Sequence, residues 1–333
     1  MPRDGEVPHD LPEGLVYCSD DGPGFSRRKL AGKWAYYDQI GRRIGAAATL
    51  DRIEKLVIPP AWTDVWIAPR PGCHIQATGR DEKGRKQYRY HDDWRSHRDD
   101  AKFGGIAAFG RALPRLRKRI AADLRKKGLP KAKVVAAVVS LLEQTLIRVG
   151  NDEYARTNKS FGLTTLRNRH ARLGAVGGTF EFTGKSGKTH CTRFQDRRLA
   201  RIVKACQDLR GQRLFQYRSE DGSICGVTSG DVNDYLREAT GEDFTAKTFR
   251  TWAGTVEAAR ILCAQTDTTA TKATITACVK DVARRLGNTP AVCRKAYIHP
   301  AILDRFADKA LTLKVGKSGR AFETAVIRLL EAV

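Results

Sequence analysis

A chain of 333 residues is longer than one hydrophobic core usually serves, and 41% apolar content excludes a disordered protein, so two packed domains are expected. Its 60 Lys and Arg against 37 Asp and Glu leave a formal charge of +23, which points to a polyanionic partner, nucleic acid first. The excess is uneven: residues 1–97 carry 16 basic and 14 acidic side chains, so nearly all of it falls on residues 98–333, where phosphate chemistry is expected.

The first hundred residues read as short strands separated by turns. KWAYYD, DVWIAPR, CHIQATG and KQYRYH have aromatic or β-branched content, DDGPG and DEKG supply turns, and one helix is expected around Leu50–Leu56. In RDEKGRKQYRYH, Arg80, Arg85, Lys86 and Arg89 alternate with Gln87, Tyr88 and Tyr90. Cations that neutralise phosphates, interleaved with amides and aromatic rings that touch bases or sugars, suit a sheet laid on DNA; a solvated edge strand is the plainer alternative. HDDWRSHRDDAKFG reads as a linker, giving a β-rich domain over 1–97 and a second domain over 98–333.

Beyond it the pattern turns helical. Phe109–Lys127 is basic and amphipathic, and Lys131–Arg148 is apolar-rich, with Arg148 in its last turn, where a lone arginine commonly just complements the helix dipole. LTTLRNRH, GTFEF and THCTRF read as antiparallel strands, with GKSGK as a hairpin turn carrying Lys185 and Lys188. Helices follow over Arg198–Leu209, over Asp231–Thr240 behind Ser229 as N-cap, and in TAKTFRTWAGTVEAARILCA and TKATITACVKDVARRLG. Lys247 and Arg250 share one face of the third of these, and Ile275, Val279, Val282 and Leu286 form the core face of the last. In RLGNTPAVCRKAYIHP, Gly287 and Asn288 end a helix, Thr289 caps the next, Pro290 starts it and Pro300 restarts the chain, so Tyr297 sits between two breakers. Residues 301–333, helical in AFETAVIRLLEAV, are expected to pack behind that tyrosine.

Several familiar chemistries are excluded. Gly187-Lys188-Thr189 and Gly316-Lys317-Ser318 imitate the end of a phosphate-binding loop, but Phe182 and Leu311 stand where its first glycine belongs. No GxGxxG, HExxH or dense Asp/Glu cluster is present, so neither ATP nor an obligatory metal is implied. Cys18, Cys73, Cys191, Cys206, Cys225, Cys263, Cys278 and Cys293 show no C-x-x-C pair, a spacing that favours free thiols over disulfides or zinc. No signal peptide or membrane-spanning run is evident, and a cytoplasmic protein without a membrane partner is expected.

Without a metal, side chains must neutralise a pentacoordinate phosphate, supply the nucleophile and protonate the leaving oxygen. Arginine suits the first task, which nominates Arg148 and Arg250. IRVGNDEYARTNKSFGLTTLRNRH, FEFTGKSGKTH, AKTFRTW and GNTPAVCRKAYIHP, in that order, resemble the type IB DNA topoisomerases, particularly their small bacterial and poxvirus-like branch. PPAWTDVWIAPRPGCHIQATGRDEKGRKQYRYH resembles their smaller domain, so the resemblance covers nearly the whole chain.

The resemblance implies an α+β fold: a β-rich N-terminal DNA-binding domain, then a mostly helical catalytic domain with a β-hairpin, closing as a C-shaped clamp. It implies Tyr297 as nucleophile, Arg148 and Arg250 as the catalytic arginines, Lys185 as the hairpin lysine, Lys247 as a helper on Arg250's helix, and DNA contacts from Tyr154, Arg167 and Lys188. Asn288 stands where poxvirus and nuclear enzymes have histidine; an amide can donate to a phosphate oxygen but cannot titrate, which argues against proton transfer there. The implied activity is relaxation of supercoiled duplex DNA through a 3′-phosphotyrosyl intermediate, by a monomer in the bacterial nucleoid. No cofactor is required; a divalent cation is at most a stimulant. Tyrosine recombinases share a related constellation and are the nearest alternative, and a non-catalytic DNA-binding protein is the alternative that charge alone permits.

Overall fold

A computed structural model describes residues 11–265, 271–313 and 319–332, so the Gly316-Lys317-Ser318 imitation lies outside the described residues. The chain divides into two compact units, Met1–Phe103 and Gly104–Val333. It has an N-terminal antiparallel sheet followed by a mostly helical portion with small sheets, the α+β class expected.

The first unit is built on β1 (Phe25–Leu30), β2 (Lys33–Tyr37), β3 (Thr63–Ile67), β4 (Ile75–Arg80) and β5 (Lys86–Tyr90), in the order β2-β1-β3-β4-β5. Strand β1 is an addition to the sequence reading: FSRRKL places three consecutive charges in a strand, and pairing with β2 from Ser26–Tyr37 to Leu30–Lys33 overrides that weak propensity. Helix α1 (Ala47–Lys55) buries Ile53 against Ile67 and Ala77, the centre of this unit's core. The stretch read as a linker is instead α2 (Asp92–Gly104), which opens on two acids that favour a helix N-terminus and buries Trp94.

One cysteine expectation is corrected. Cys18 and Cys73 form a disulfide across 55 residues of sequence, with Cα atoms 5.6 Å apart. The chain segment through Val16 bridges Cys73, a tertiary pairing that spacing alone cannot reveal. The other six cysteines are free.

The second unit is organised on α3 (Ile106–Asp123) and α4 (Lys131–Thr145). Helix α4 buries Val134 through Val139 and then Leu141 and Leu142, so it is apolar on every side and lies in the middle of the unit. It ends earlier than the sequence suggests: Leu146 turns left-handed at φ 56° and its N–H bonds to Leu142, so Arg148 lies in the loop that follows and does not serve the helix dipole. The short helix α5 (Asp152–Thr157) comes next. LTTLRNRH, expected as a strand, forms two single 3₁₀ turns, Leu163–Thr165 and Asn168–His170, stabilised by local Thr165 and His170 side-chain bonds.

A three-stranded sheet is then made by β6 (Ala171–Leu173), β7 (Gly178–Thr183) and β8 (Thr189–Phe194), with Lys185–Gly187 forming the turn of the β7–β8 hairpin. After α6 (Arg197–Gln207), a small β9–β10 pair (Gln216–Arg218 and Ile224–Gly226) precedes α7 (Ser229–Thr240). The cap of α7 is Thr228, not Ser229: its hydroxyl accepts from Asp231 N–H while the Asp231 carboxylate accepts from Thr228, a reciprocal pair that Ser229 lacks the spacing to make.

Helices α8 (Ala246–Cys263), α9 (Lys272–Leu286), α10 (Pro290–Ala296), α11 (Pro300–Ala307) and α12 (Gly319–Glu331) complete the unit. Ile275, Val279, Val282 and Leu286 are all buried, as their spacing predicts. Helix α12 packs chiefly on α3, where Arg117 donates to Glu323 at 2.8 and 2.9 Å and to Glu143 of α4 at 2.7 Å. Among the described residues no helix is long and apolar enough to cross a membrane.

Candidate active site

Tyr297 is positioned by its backbone. Gly287, left-handed at φ 62°, ends α9; Thr289 caps α10, and Pro290 occupies the first helical position, where its missing N–H costs nothing. Tyr297 closes α10 with its N–H on Cys293 O at 2.9 Å, and α11 begins at once behind His299, whose Nδ1 accepts from Ala301 N–H. This turn rests on α8: a Cβ on Gly254 would lie 2.3 Å from Tyr297 O, so only glycine admits so close an approach, and Thr255 Oγ1 accepts the His299 N–H at 3.0 Å.

The same helix carries Lys247 and Arg250. Arg250 is 3% exposed, and its guanidinium spans two helix ends, donating to Leu146 O at the turn after α4 and to Leu286 O of α9, the latter at 2.6 Å. Those carbonyls would otherwise be orphaned at helix C-termini, so one buried fork satisfies both and fixes the loop bearing Arg148 against the turn bearing Asn288. Among the described residues its Nε has no partner. The guanidinium carbon lies 5.2 Å from the centroid of the Tyr297 ring.

Arg148 and Asn288 meet directly, the guanidinium donating to Asn288 Oδ1. The Asn288 backbone N–H bonds to Ala283 O at 2.9 Å, while its Nδ2 is buried without a partner among the described residues. An unpaired buried donor is costly, and a phosphate oxygen is the kind of acceptor that would satisfy it. Both residues line a cavity of about 620 Å³ together with Arg250, Lys185, Lys188 and His190. Lys247 and Tyr297 do not line it; the Tyr297 ring lies against Arg250, which does.

Electrostatics favour anions throughout. Burial alone would raise the Tyr297 phenol, but the charge of Arg250 beside it, then those of Arg148 and Lys247, outweigh burial and bring the pKa below the usual tyrosine value. Burial, followed by the charge of Arg148, lowers Arg250 itself. Among the described residues no Asp or Glu lines the cavity.

The sequence-nominated DNA contacts separate into groups. Tyr154 is 51% exposed on α5, Arg167 donates to Gln212 Oε1 at 3.1 Å, and Lys188 lines the cavity. On β5, cross-strand partners share a face: Lys86 with Arg80, and Tyr88 with Thr78, project to one side, while Arg89 opposite Ala77 and Gln87 opposite Gly79 project to the side of α1. Arg89 there donates to Val57 O at 2.8 Å. Tyr88 and Tyr90 stack at 5.8 Å between ring centroids. Lys86 is paired with Asp20 at 2.7 Å, Arg85 with Asp81 at 2.6 Å and Arg80 with Asp64 at 3.6 Å.

Sequence reasoning passed over His190. It occupies an inward position in THCTRF, where exposed and less exposed residues alternate, a signal that was available in the strand pattern.

A cavity walled by arginine and lysine, with a tyrosine behind its buried arginine, has the charge and the donors that would suit a phosphate. Residues 91–319 match the family model described as the catalytic core of eukaryotic DNA topoisomerase I, and residues 33–81 match the N-terminal domain of bacterial DNA topoisomerase IB. The chain is 35% identical over 285 residues to DNA topoisomerase 1B of Acanthamoeba polyphaga mimivirus, covering 83% of this chain and 85% of that protein. It is 22% identical over 281 residues to DNA topoisomerase 1B of vaccinia virus strain Copenhagen, covering 80% and 84%. The chain therefore belongs to the type IB DNA topoisomerases, isomerases that relax supercoiled DNA.

Proposed function

We propose that Tyr297 is the nucleophile of a metal- and ATP-independent cleavage and religation cycle on duplex DNA. The observation that carries the reading is Arg250, buried at the wall of the cavity and lying over the Tyr297 ring, so that one fixed cation faces both the nucleophile and the space a phosphate would fill.

In this reading the Tyr297 oxygen attacks phosphorus, its proton leaves to solvent, and the bond from phosphorus to the 5′ oxygen breaks. Arg148, Arg250 and the Asn288 amide bear on the phosphate oxygens as charge builds in the pentacoordinate state, each such donor contributing on the order of 10²–10³ in rate. Lys185, exposed at the hairpin turn, gives its proton to the departing 5′ oxygen. Lys247 adds positive charge that favours the phenolate. The 3′-phosphotyrosyl bond conserves the phosphodiester energy, and attack by the 5′ hydroxyl after strand rotation regenerates Tyr297 and the DNA, which is why no ATP is consumed. Lys86, Arg80, Tyr88 and Tyr90 in the first unit, and Tyr154, Arg167 and Lys188 in the second, form the DNA-contacting set, and the enzyme acts as a monomer.

Tyr297→Phe tests this reading. It removes one oxygen from a half-buried ring, so non-covalent DNA binding should persist within about twofold while relaxation and the denaturation-resistant protein–DNA adduct disappear. Plasmid relaxation by the wild-type chain should proceed in EDTA without nucleotide. An adduct formed by the Phe variant, or a requirement for paired sites and a tetramer, would overturn the assignment.

A further inference from the structure

One imidazole fills the space between the hairpin that carries Lys185 and the turn that carries Asn288. His190 stacks on Phe182 of the same hairpin, with ring centroids 5.3 Å apart and planes 15° from parallel. A Cβ on Gly184 would lie 2.5 Å from His190 Cδ2, and a Cβ on Gly287 would lie 2.7 Å from His190 Cε1. The ring is thus pressed between the residue before Lys185 and the residue before Asn288, and both neighbours must be glycine to admit it.

The two sides are anchored differently. The turn of Asn288 is fixed by Asn288 N–H to Ala283 O, by Arg250 on Leu286 O and by the Thr289 cap. The tip of the hairpin is held by bonds within itself, Gly184 N–H to Lys188 O and Gly187 N–H to Gly184 O. We infer that His190 is a positioning residue: its imidazole seats the hairpin against the fixed Asn288 turn and so sets where the Lys185 ammonium meets the departing 5′ oxygen. The inference rests on the reading of Lys185 as proton donor given above.

The surroundings disfavour a charged ring. Burial, then the charges of Arg148, Arg250 and Lys188, hold His190 below the usual histidine pKa. Lys185, Arg193, Arg284 and Arg285 line the same cavity, and none of its lining residues is acidic.

The test compares single-turnover cleavage of a duplex with an ordinary scissile phosphodiester and one with a 5′-bridging phosphorothiolate, whose sulfur departs without needing a proton. General acid catalysis contributes about 10²–10⁴, so His190→Ala should slow the ordinary substrate by about 100-fold yet leave the phosphorothiolate within about threefold of wild type, while His190→Phe, which keeps the stack, should recover most of the loss. Equal slowing of both substrates, or slowing of neither, overturns the inference. Gly184→Ala adds a second arm that does not depend on removing the ring: its Cβ should slow the wild type and add little to His190→Ala, and strictly additive penalties would count against the contact. Lys185→Ala separates the two layers. If it slows both substrates equally, the reading of Lys185 fails and His190's role goes with it; if it spares the phosphorothiolate and His190→Ala does not, His190's role alone fails.

Discussion

The sheet of the first unit and the cavity of the second hold their positive charge in opposite ways. On β5 and its neighbours three cations have carboxylate partners within the unit, Lys86 on Asp20, Arg85 on Asp81 and Arg80 on Asp64, while Arg89 donates to Val57 O. Arg148, Arg250, Lys185 and Lys188 line one cavity of the second unit, with no acid among the described residues that line it. Exposed pairs are worth about 0–1 kcal/mol, so the first arrangement exchanges partners with phosphates at little cost. The second keeps like charges together in a partly dry site, where a phosphate relieves repulsion and fills vacant donors such as Arg250 Nε and Asn288 Nδ2. The first is suited to binding that adjusts, the second to preorganised stabilisation of developing charge.

The largest effect should come from breaking the second arrangement at Arg250. Arg250→Ala deletes a cation from the cavity wall and leaves Leu146 O and Leu286 O without their donor. Single-turnover cleavage should fall by about 10²–10³, the usual cost of one lost transition-state donor, and by more if the loop of Arg148 shifts. Arg250→Lys should recover little, because an ammonium cannot span two carbonyls and a ring as a planar fork does. A variant with near wild-type cleavage in Arg250→Lys would show that charge, not geometry, is what the site requires.

A smaller effect is expected at Lys86, and it has two signs. Lys86→Ala should weaken DNA binding by a few-fold, uniformly across sequences, and lower the salt slope by about one. Asp20→Asn should do the reverse, since it frees Lys86 from a partner 2.7 Å away. Binding measured across a salt series reads both. If Asp20→Asn leaves affinity and slope unchanged, the carboxylates do not compete with DNA, and the contrast between the units loses its basis.

How much of this was legible beforehand follows the same division. Local signals were reliable where caps and periodicity act alone: Gly287, Thr289, Pro290 and Pro300 bracket Tyr297 as their chemistry dictates, and the buried stripe of α9 matches its spacing. Readings failed where tertiary contacts decide. Arg148 left its helix because Leu146 turns left-handed and hands its carbonyl to Arg250, a residue more than a hundred positions away. LTTLRNRH has the β-branched content of a strand, but local side-chain bonds turn it into two short helical turns. The Cys18–Cys73 bond, the role of Asp20 beside Lys86, and the wedge of His190 between two glycines all join residues far apart in sequence. A motif can nominate Lys185 and Asn288; it cannot say what holds them in register.

The last and smallest effect concerns stability, and again the units differ. Burial lowers the pKa of His170, His190 and His299 in the second unit and of His74 in the first. A histidine whose folded pKa is depressed binds protons more readily when unfolded, so the stability it secures is complete above the unfolded value near 6.5 and drains away as pH falls below it. The paired carboxylates do not act in that window: Asp81 is pulled down to about 2 by the Arg85 side chain, against its slight desolvation, and Asp20, despite burial, is lowered by Lys86 and Thr78, so both remain ionised. Denaturant unfolding at pH 7.5 and 5.5 should therefore show the second unit losing more stability than the first, with His190→Phe reducing the difference. Equal losses in both units, or a loss that persists unchanged in His190→Phe, would mean that burial and the neighbouring cations impose no cost on the proton that the ring would have to accept.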